Sequence, residues 1–102
     1  MATRMVGENM LAGAESPEIF NLVLSEANTE YPQVLPTNCR KFSVQPRTLG
    51  VNFKLSFNPY ESDTKYMTIR GCYSEDLVGC SYLVLYLQSP TAGAVVEILA
   101  WN

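Results

Sequence analysis

Along Val51 to Phe57 apolar and polar residues alternate without a break. Val51, Phe53, Leu55 and Phe57 fall on one face, and Asn52, Lys54 and Ser56 on the other. A strict period of two is the pattern of a β-strand with one face in a core and the other in water. No helix-period segment of ten or more residues exists after residue 15, so this pattern sets the fold class. A chain of 102 residues has room for one core. With 47% apolar and 17% charged residues, it carries enough burial to fold rather than remain disordered.

Further strands follow from the same logic. Ile19 to Ser25 predicts a first strand, after which Glu26 to Glu30 is polar. Tyr31 to Pro36 carries two prolines, which lack the ladder donor, so it is an edge piece or a connection. Thr37-Asn38 makes a turn, and Cys39 to Gln45 alternates, with Phe42 and Val44 opposite Lys41, Ser43 and Gln45. Asn58 to Asp63 is a loop of turn formers. Lys65 to Arg70 predicts a short strand ended by Gly71, and Cys72 to Gly79 an extended or bulged connection. Tyr82 to Gln88 and Ala94 to Trp101 predict two closing strands. Ser89-Pro90-Thr91-Ala92-Gly93 between them is a loop of hairpin length. The expected fold is all-β: an antiparallel β-sandwich, jelly-roll-like or immunoglobulin-like, of about six to eight strands. Residues 1–17 are rich in small residues without a period and read as an extended N-terminal arm. Residues 18–102 form the single sandwich domain.

The last two strands depart from the inward-apolar, outward-polar rule. Leu83, Leu85 and Leu87 share one face of the first, with Tyr82, Val84 and Tyr86 on the other. In the second, Ala94, Val96, Ile98 and Ala100 oppose Val95, Leu99 and Trp101, with Glu97 the one charge. Water against such a surface would leave a contiguous apolar patch and an aggregation template. The N-terminal arm or the Tyr31–Pro36 segment is one possible cover, and a second copy of the chain is the other. We expect the second copy, with Tyr82, Val84, Tyr86, Val95, Leu99 and Trp101 as the oligomer interface of a C-terminal hairpin. An interface of roughly 800 Å² per partner, some 60% apolar, is worth on the order of 20 kcal/mol before association costs. Tyrosine and tryptophan suit such positions because each joins an apolar body to a polar tip.

Charge and residue usage narrow the function classes. Seven basic against ten acidic residues give a net charge of −3. That disfavours a nucleic acid partner, since phosphate neutralisation needs clustered bases. The acids concentrate in the first third, where Arg4 faces five of them. Between Cys39 and Arg70 six bases meet only Glu61 and Asp63. This asymmetry suits head-to-tail contact between identical subunits, and equally attraction within one subunit. Histidine is absent, which removes the commonest general base and metal ligand together. No catalytic residue, cofactor or metal is therefore expected.

Glu75-Asp76 reads as solvation, and Glu61 with Asp63 lacks the twelve-residue calcium-loop pattern. Cys39, Cys72 and Cys80 match no zinc or redox spacing and read as buried, reduced thiols, although Cys72 and Cys80 can face each other across a hairpin. Glu8 and Asn9 interrupt any apolar run behind Met1, so no secretory signal is expected. The longest apolar run, Tyr82 to Leu87, is far too short to span a membrane. The rival reading is a carbohydrate-binding sandwich with Tyr60, Tyr66 and Tyr73 exposed as a stacking platform around the Asn58–Asp63 loop.

From Leu35 to Trp101 the layout resembles small virion proteins of tailed bacteriophages. A leucine–proline turn leads into a basic strand (Leu35-Pro36-Thr37-Asn38-Cys39-Arg40-Lys41-Phe42-Ser43-Val44-Gln45), and the alternating strand Val51 to Phe57 follows. A short strand ends in glycine and a tyrosine–acid turn (Tyr66-Met67-Thr68-Ile69-Arg70-Gly71-Cys72-Tyr73-Ser74-Glu75). The close is Leu85-Tyr86-Leu87-Gln88-Ser89-Pro90 and then Gly93-Ala94-Val95-Val96-Glu97-Ile98-Leu99-Ala100-Trp101. Position 72, a glycine in such chains, is Cys72 here.

The resemblance covers about two-thirds of the chain and implies a non-catalytic structural role. It further implies location in the virion, and in the host cytoplasm during assembly. The partners it implies are copies of the chain itself, as a trimer or other ring, and virion proteins such as the major capsid protein. The particle would be decorated or stabilised as by capsid cement, or at a head or tail attachment.

Overall fold

The computed structural model describes residues 17–78 and 81–101. Eight strands follow in order: β1 (Glu18–Leu24), β2 (Tyr31–Val34), β3 (Lys41–Pro46), β4 (Phe53–Ser56), β5 (Met67–Ile69), β6 (Tyr73–Asp76), β7 (Val84–Gln88) and β8 (Ala94–Trp101). They form two four-stranded sheets, ordered β1-β8-β3-β6 and β2-β7-β4-β5, with every pairing antiparallel. The chain is thus an all-β sandwich, as the alternation predicts. Within the two architectures expected, the strand order is that of the jelly roll.

The logic of that order is one long ribbon folded over. β1 pairs with β8, β2 with β7, β3 with β6 and β4 with β5. Lateral pairs β3–β8 and β4–β7 then complete each sheet. Of the successive strands only β4 and β5 are neighbours in a sheet, so the other connections cross between sheets. This corrects the C-terminal hairpin: β7 and β8 belong to opposite sheets and do not pair with each other.

The core fills the space between the sheets with alternate residues of both. Phe42 and Val44 from β3, Phe53 and Leu55 from β4, Leu85 and Leu87 from β7, and Val96, Ile98 and Ala100 from β8 are all buried. Phe42 sits at the centre, with the rings of Phe57 and Tyr73 each 6.2 Å away. That spacing and tilt favour edge-on aromatic contact. In β4 the alternation holds through Leu55 and then fails: Ser56 is buried and Phe57 is partly exposed. Ser56 is covered because its hydroxyl closes a turn with Asn58, donating to the carbonyl and accepting from the amide.

Two other expectations change. Tyr73–Asp76, expected as part of a connection, is the edge strand β6. Its acids face water, which leaves only Tyr73 to register burial. Among the thiols Cys39 is buried and donates to the Lys41 carbonyl at 3.2 Å. Cys72 is exposed, contrary to expectation, with its sulfur 3.4 Å from Ser43 Oγ. Its position just ahead of an edge strand accounts for the exposure. The arm at residues 1–17 falls almost wholly outside the described residues, as does Cys80 and with it any Cys72–Cys80 pairing. Tyr31–Val34, with Pro32 opposite Tyr86, is an edge strand as the prolines require.

Candidate interaction surface

β8 lies between β1 and β3, so its outward residues sit mid-sheet with neighbours on both sides. The register sets them in rows. Ile19, Leu99 and Ser43 share one row, Asn21, Glu97 and Gln45 the next, and Val23 stands beside Val95. Trp101 pairs with Lys41, whose ammonium lies 5.4 Å from the indole ring centre. A cation over an aromatic face is attracted by the ring quadrupole. Ile19 and Val23 are 68% and 48% exposed, while Val95, Leu99 and Trp101 are half-buried by their neighbours.

A polar bar crosses the middle of this apolar face. Glu97 accepts from Gln45 Nε2 at 2.9 Å and from Arg47 Nε at 3.0 Å. The same guanidinium donates from Nη2 to Asn21 Oδ1 at 3.0 Å. The hydrogen bonds from Gln45 and then Arg47 hold the Glu97 carboxyl below its ordinary value. Beside the bar is a shallow hollow of about 280 Å³ walled by Ile19, Asn21, Ser43, Gln45 and Leu99. Glu97 is thus already engaged by two donors within the chain. Among the described residues no group of three or more His, Cys, Asp or Glu side chains is placed to hold a metal.

The six residues expected at an interface divide between the two sheets. Val95, Leu99 and Trp101 face outward from the β1-β8-β3-β6 sheet. Val84 and Tyr86 face outward from the other sheet, and Tyr82, 66% exposed, precedes β7. They therefore form two patches on opposite sides of the sandwich. Ile19 and Val23 complete the first patch and are absent from the sequence-based set. Their shared parity with Asn21 in β1 was the signal available, but it gains meaning only once β1 is known to flank β8. Arg47, Gln45 and Asn21 had no local signal at all.

The tyrosine platform does not assemble. Tyr60 is 92% exposed in the β4–β5 loop. Tyr66 has the Lys54 ammonium 4.6 Å over its ring, and Lys54 also reaches Asp63 at 3.3 Å. Tyr73 sits in the other sheet, half-buried against Phe42, and donates to Glu75 Oε1 at 2.6 Å. That hydrogen bond, reinforced by burial and the carboxylate charge, pushes its phenol above the ordinary value.

No protein-family model matches the chain, and no curated protein matches it. A solved structure similar in fold is a de novo designed double-stranded β-helix. It is 9% identical with a TM-score of 0.50, over 86% of this chain and 100% of that one. At that identity the likeness concerns the two-sheet fold alone.

Proposed function

We propose that this chain is a non-catalytic structural protein of a bacteriophage particle. In this reading it is a jelly-roll subunit that binds copies of itself through the outer face of its β1-β8-β3-β6 sheet. The observation that carries the reading is the outward side of β8. A mid-sheet strand turns Val95, Leu99 and Trp101 away from the core, and Ile19 and Val23 of β1 extend the same apolar surface. Jelly rolls recur in viral capsid proteins, where closely packed sandwiches tile a shell. The resemblance of the Leu35–Trp101 layout to small phage virion proteins favours that use over lectin or cupin roles of the same fold. The partners are copies of the chain in a ring, with the major capsid protein or another virion component beneath.

The polar bar suits an interface between copies. Its central carboxylate is paired within the subunit, so covering it does not strand an unpaired charge. Native mass spectrometry at micromolar concentration tests the reading. A closed oligomer is expected, and Leu99→Asp is expected to release folded monomers. A wild-type chain that is monomeric under those conditions overturns it.

A further inference from the structure

By parity Gln88 belongs on the outer side of the β2-β7-β4-β5 sheet, with Val84 and Tyr86, yet it is only 2% exposed. The β4–β5 loop folds back over it. Gln88 Nε2 donates to Ser62 Oγ at 2.6 Å, and Ser62 Oγ donates to Glu30 Oε1, also at 2.6 Å. Glu30 further accepts the Tyr60 amide on Oε2 at 2.8 Å and the Ser62 amide on Oε1 at 3.3 Å. One carboxylate thus clasps the β4–β5 loop to the β1–β2 loop. Between the two loops is a hollow of about 240 Å³ lined by Asn28, Glu30, Tyr60, Ser62, Asp63 and Gln88.

Three features of the hollow are unusual. Each residue lining it carries a polar group, most of them hydrogen-bond acceptors, beside the apolar face of the Tyr60 ring. Gln88 Oε1 is buried without a hydrogen-bond partner. What it lacks is a donor. Tyr60 holds a left-handed backbone, φ 64°, while its ring stands 92% exposed. A bulky residue there is a true outlier, and such strain persists where the surroundings enforce it. Here the Glu30 clasp on the Tyr60 amide enforces it.

We propose that this hollow binds a single sugar ring, which stacks on Tyr60 and donates hydroxyl hydrogens to the Glu30 and Asp63 oxygens. A ligand with several adjacent hydroxyl donors answers the excess of acceptors, and an exposed phenol ring gives its apolar face a platform. The volume lies below the roughly 300–1,000 Å³ of pockets that take drug-sized ligands, so it matches one small ring. A bare calcium ion fits less well. It asks for six to eight oxygens, whereas only two carboxylates line the hollow and Lys54 already holds Asp63. The proposal uses the opposite sheet from the self-association surface, so either can fail without the other.

The test is an amide-resolved NMR titration of the full chain with D-glucose, D-galactose and N-acetyl-D-glucosamine, each to about 50 mM, in the weak-binding range. At least one sugar is expected to shift the Asn28, Tyr60, Ser62 and Gln88 signals progressively. Tyr60→Gly removes the ring and relieves the backbone strain. It is expected to weaken binding tenfold or more with an unchanged or higher melting temperature. Asp63→Asn, at an exposed side chain, is expected to weaken binding while the fold is retained. Absence of shifts with all three sugars overturns the proposal, as does full binding by Tyr60→Gly. Shifts of the same signals by calcium chloride without any sugar response make the hollow a cation site and overturn it equally.

Discussion

The Gly93 amide donates to the Leu24 carbonyl at 2.8 Å, tying the start of β8 to the end of β1 rather than to β7. The five residues before β8 are therefore a corner between sheets. Gly93 turns that corner with φ 80°, and nothing lies within 4 Å of where its Cβ would stand. The position is closed to side chains by backbone conformation and not by space. Gly93→Ala is expected to cost about 1 kcal/mol through left-handed strain. Gly71→Ala, equally uncrowded and without a positive φ, is expected to be neutral or slightly stabilising. Urea unfolding of the two variants checks the contrast.

The same corner shows what the sequence could disclose. Alternation in Phe53 and Leu55, or in Val96 and Ile98, is a local consequence of the pleat, so strand faces were legible before any pairing was known. Partner choice is not local. A five-residue turn looks the same whether it closes a hairpin or crosses between sheets. What decides is the match of Leu24 with Ala94, about seventy positions away. The interface set carries that ambiguity: alternation gives the outward faces of Val84, Tyr86, Val95, Leu99 and Trp101, but it sets β7 and β8 side by side. The bar of Asn21, Arg47 and Glu97 was illegible for the same reason, since its members come from β1, β8 and the residue after β3.

Phe42 is fully buried between Phe57 and Tyr73. Removing its ring leaves a cavity that both sheets line and that neither closes without moving. Phe42→Ala is expected to destabilise by about 3–5 kcal/mol, read as a lower urea midpoint with an unchanged slope. A loss below about 1 kcal/mol would mean the core is packed differently.

Glu97 links stability to pH. Gln45 and Arg47 favour its charged form in the folded chain, so its folded-state value lies below its unfolded one. Its contribution is complete above the ordinary carboxylate range and fades as pH falls through the folded value. Glu97→Gln removes that titration. The stability advantage of wild type over the variant is expected to shrink from about pH 5 to about pH 3. Added salt at neutral pH should narrow the same gap, because the pair is partly solvated. An advantage independent of pH would show that the charge on Glu97 is not what binds the bar together.

The split of the six apolar residues makes the sharpest test of the self-association surface. Leu99→Asp and Val84→Asp each place a carboxylate on a half-buried outward position, one on each sheet. Neither side chain points into the core, so both variants are expected to fold, at a cost of about 1–2 kcal/mol. Val96→Asp, at a core position 1% exposed, serves as the unfolding control, because its charge would be buried unpaired. Light scattering coupled to gel filtration then separates the faces. Leu99→Asp is expected to be monomeric, since an unpaired carboxylate in an apolar interface costs several kcal/mol. Val84→Asp is expected to remain assembled. The reverse outcome would move the interface to the β2-β7-β4-β5 sheet, with Val84 and Tyr86 of β7 at its centre, and would place it on the side that carries the proposed sugar hollow.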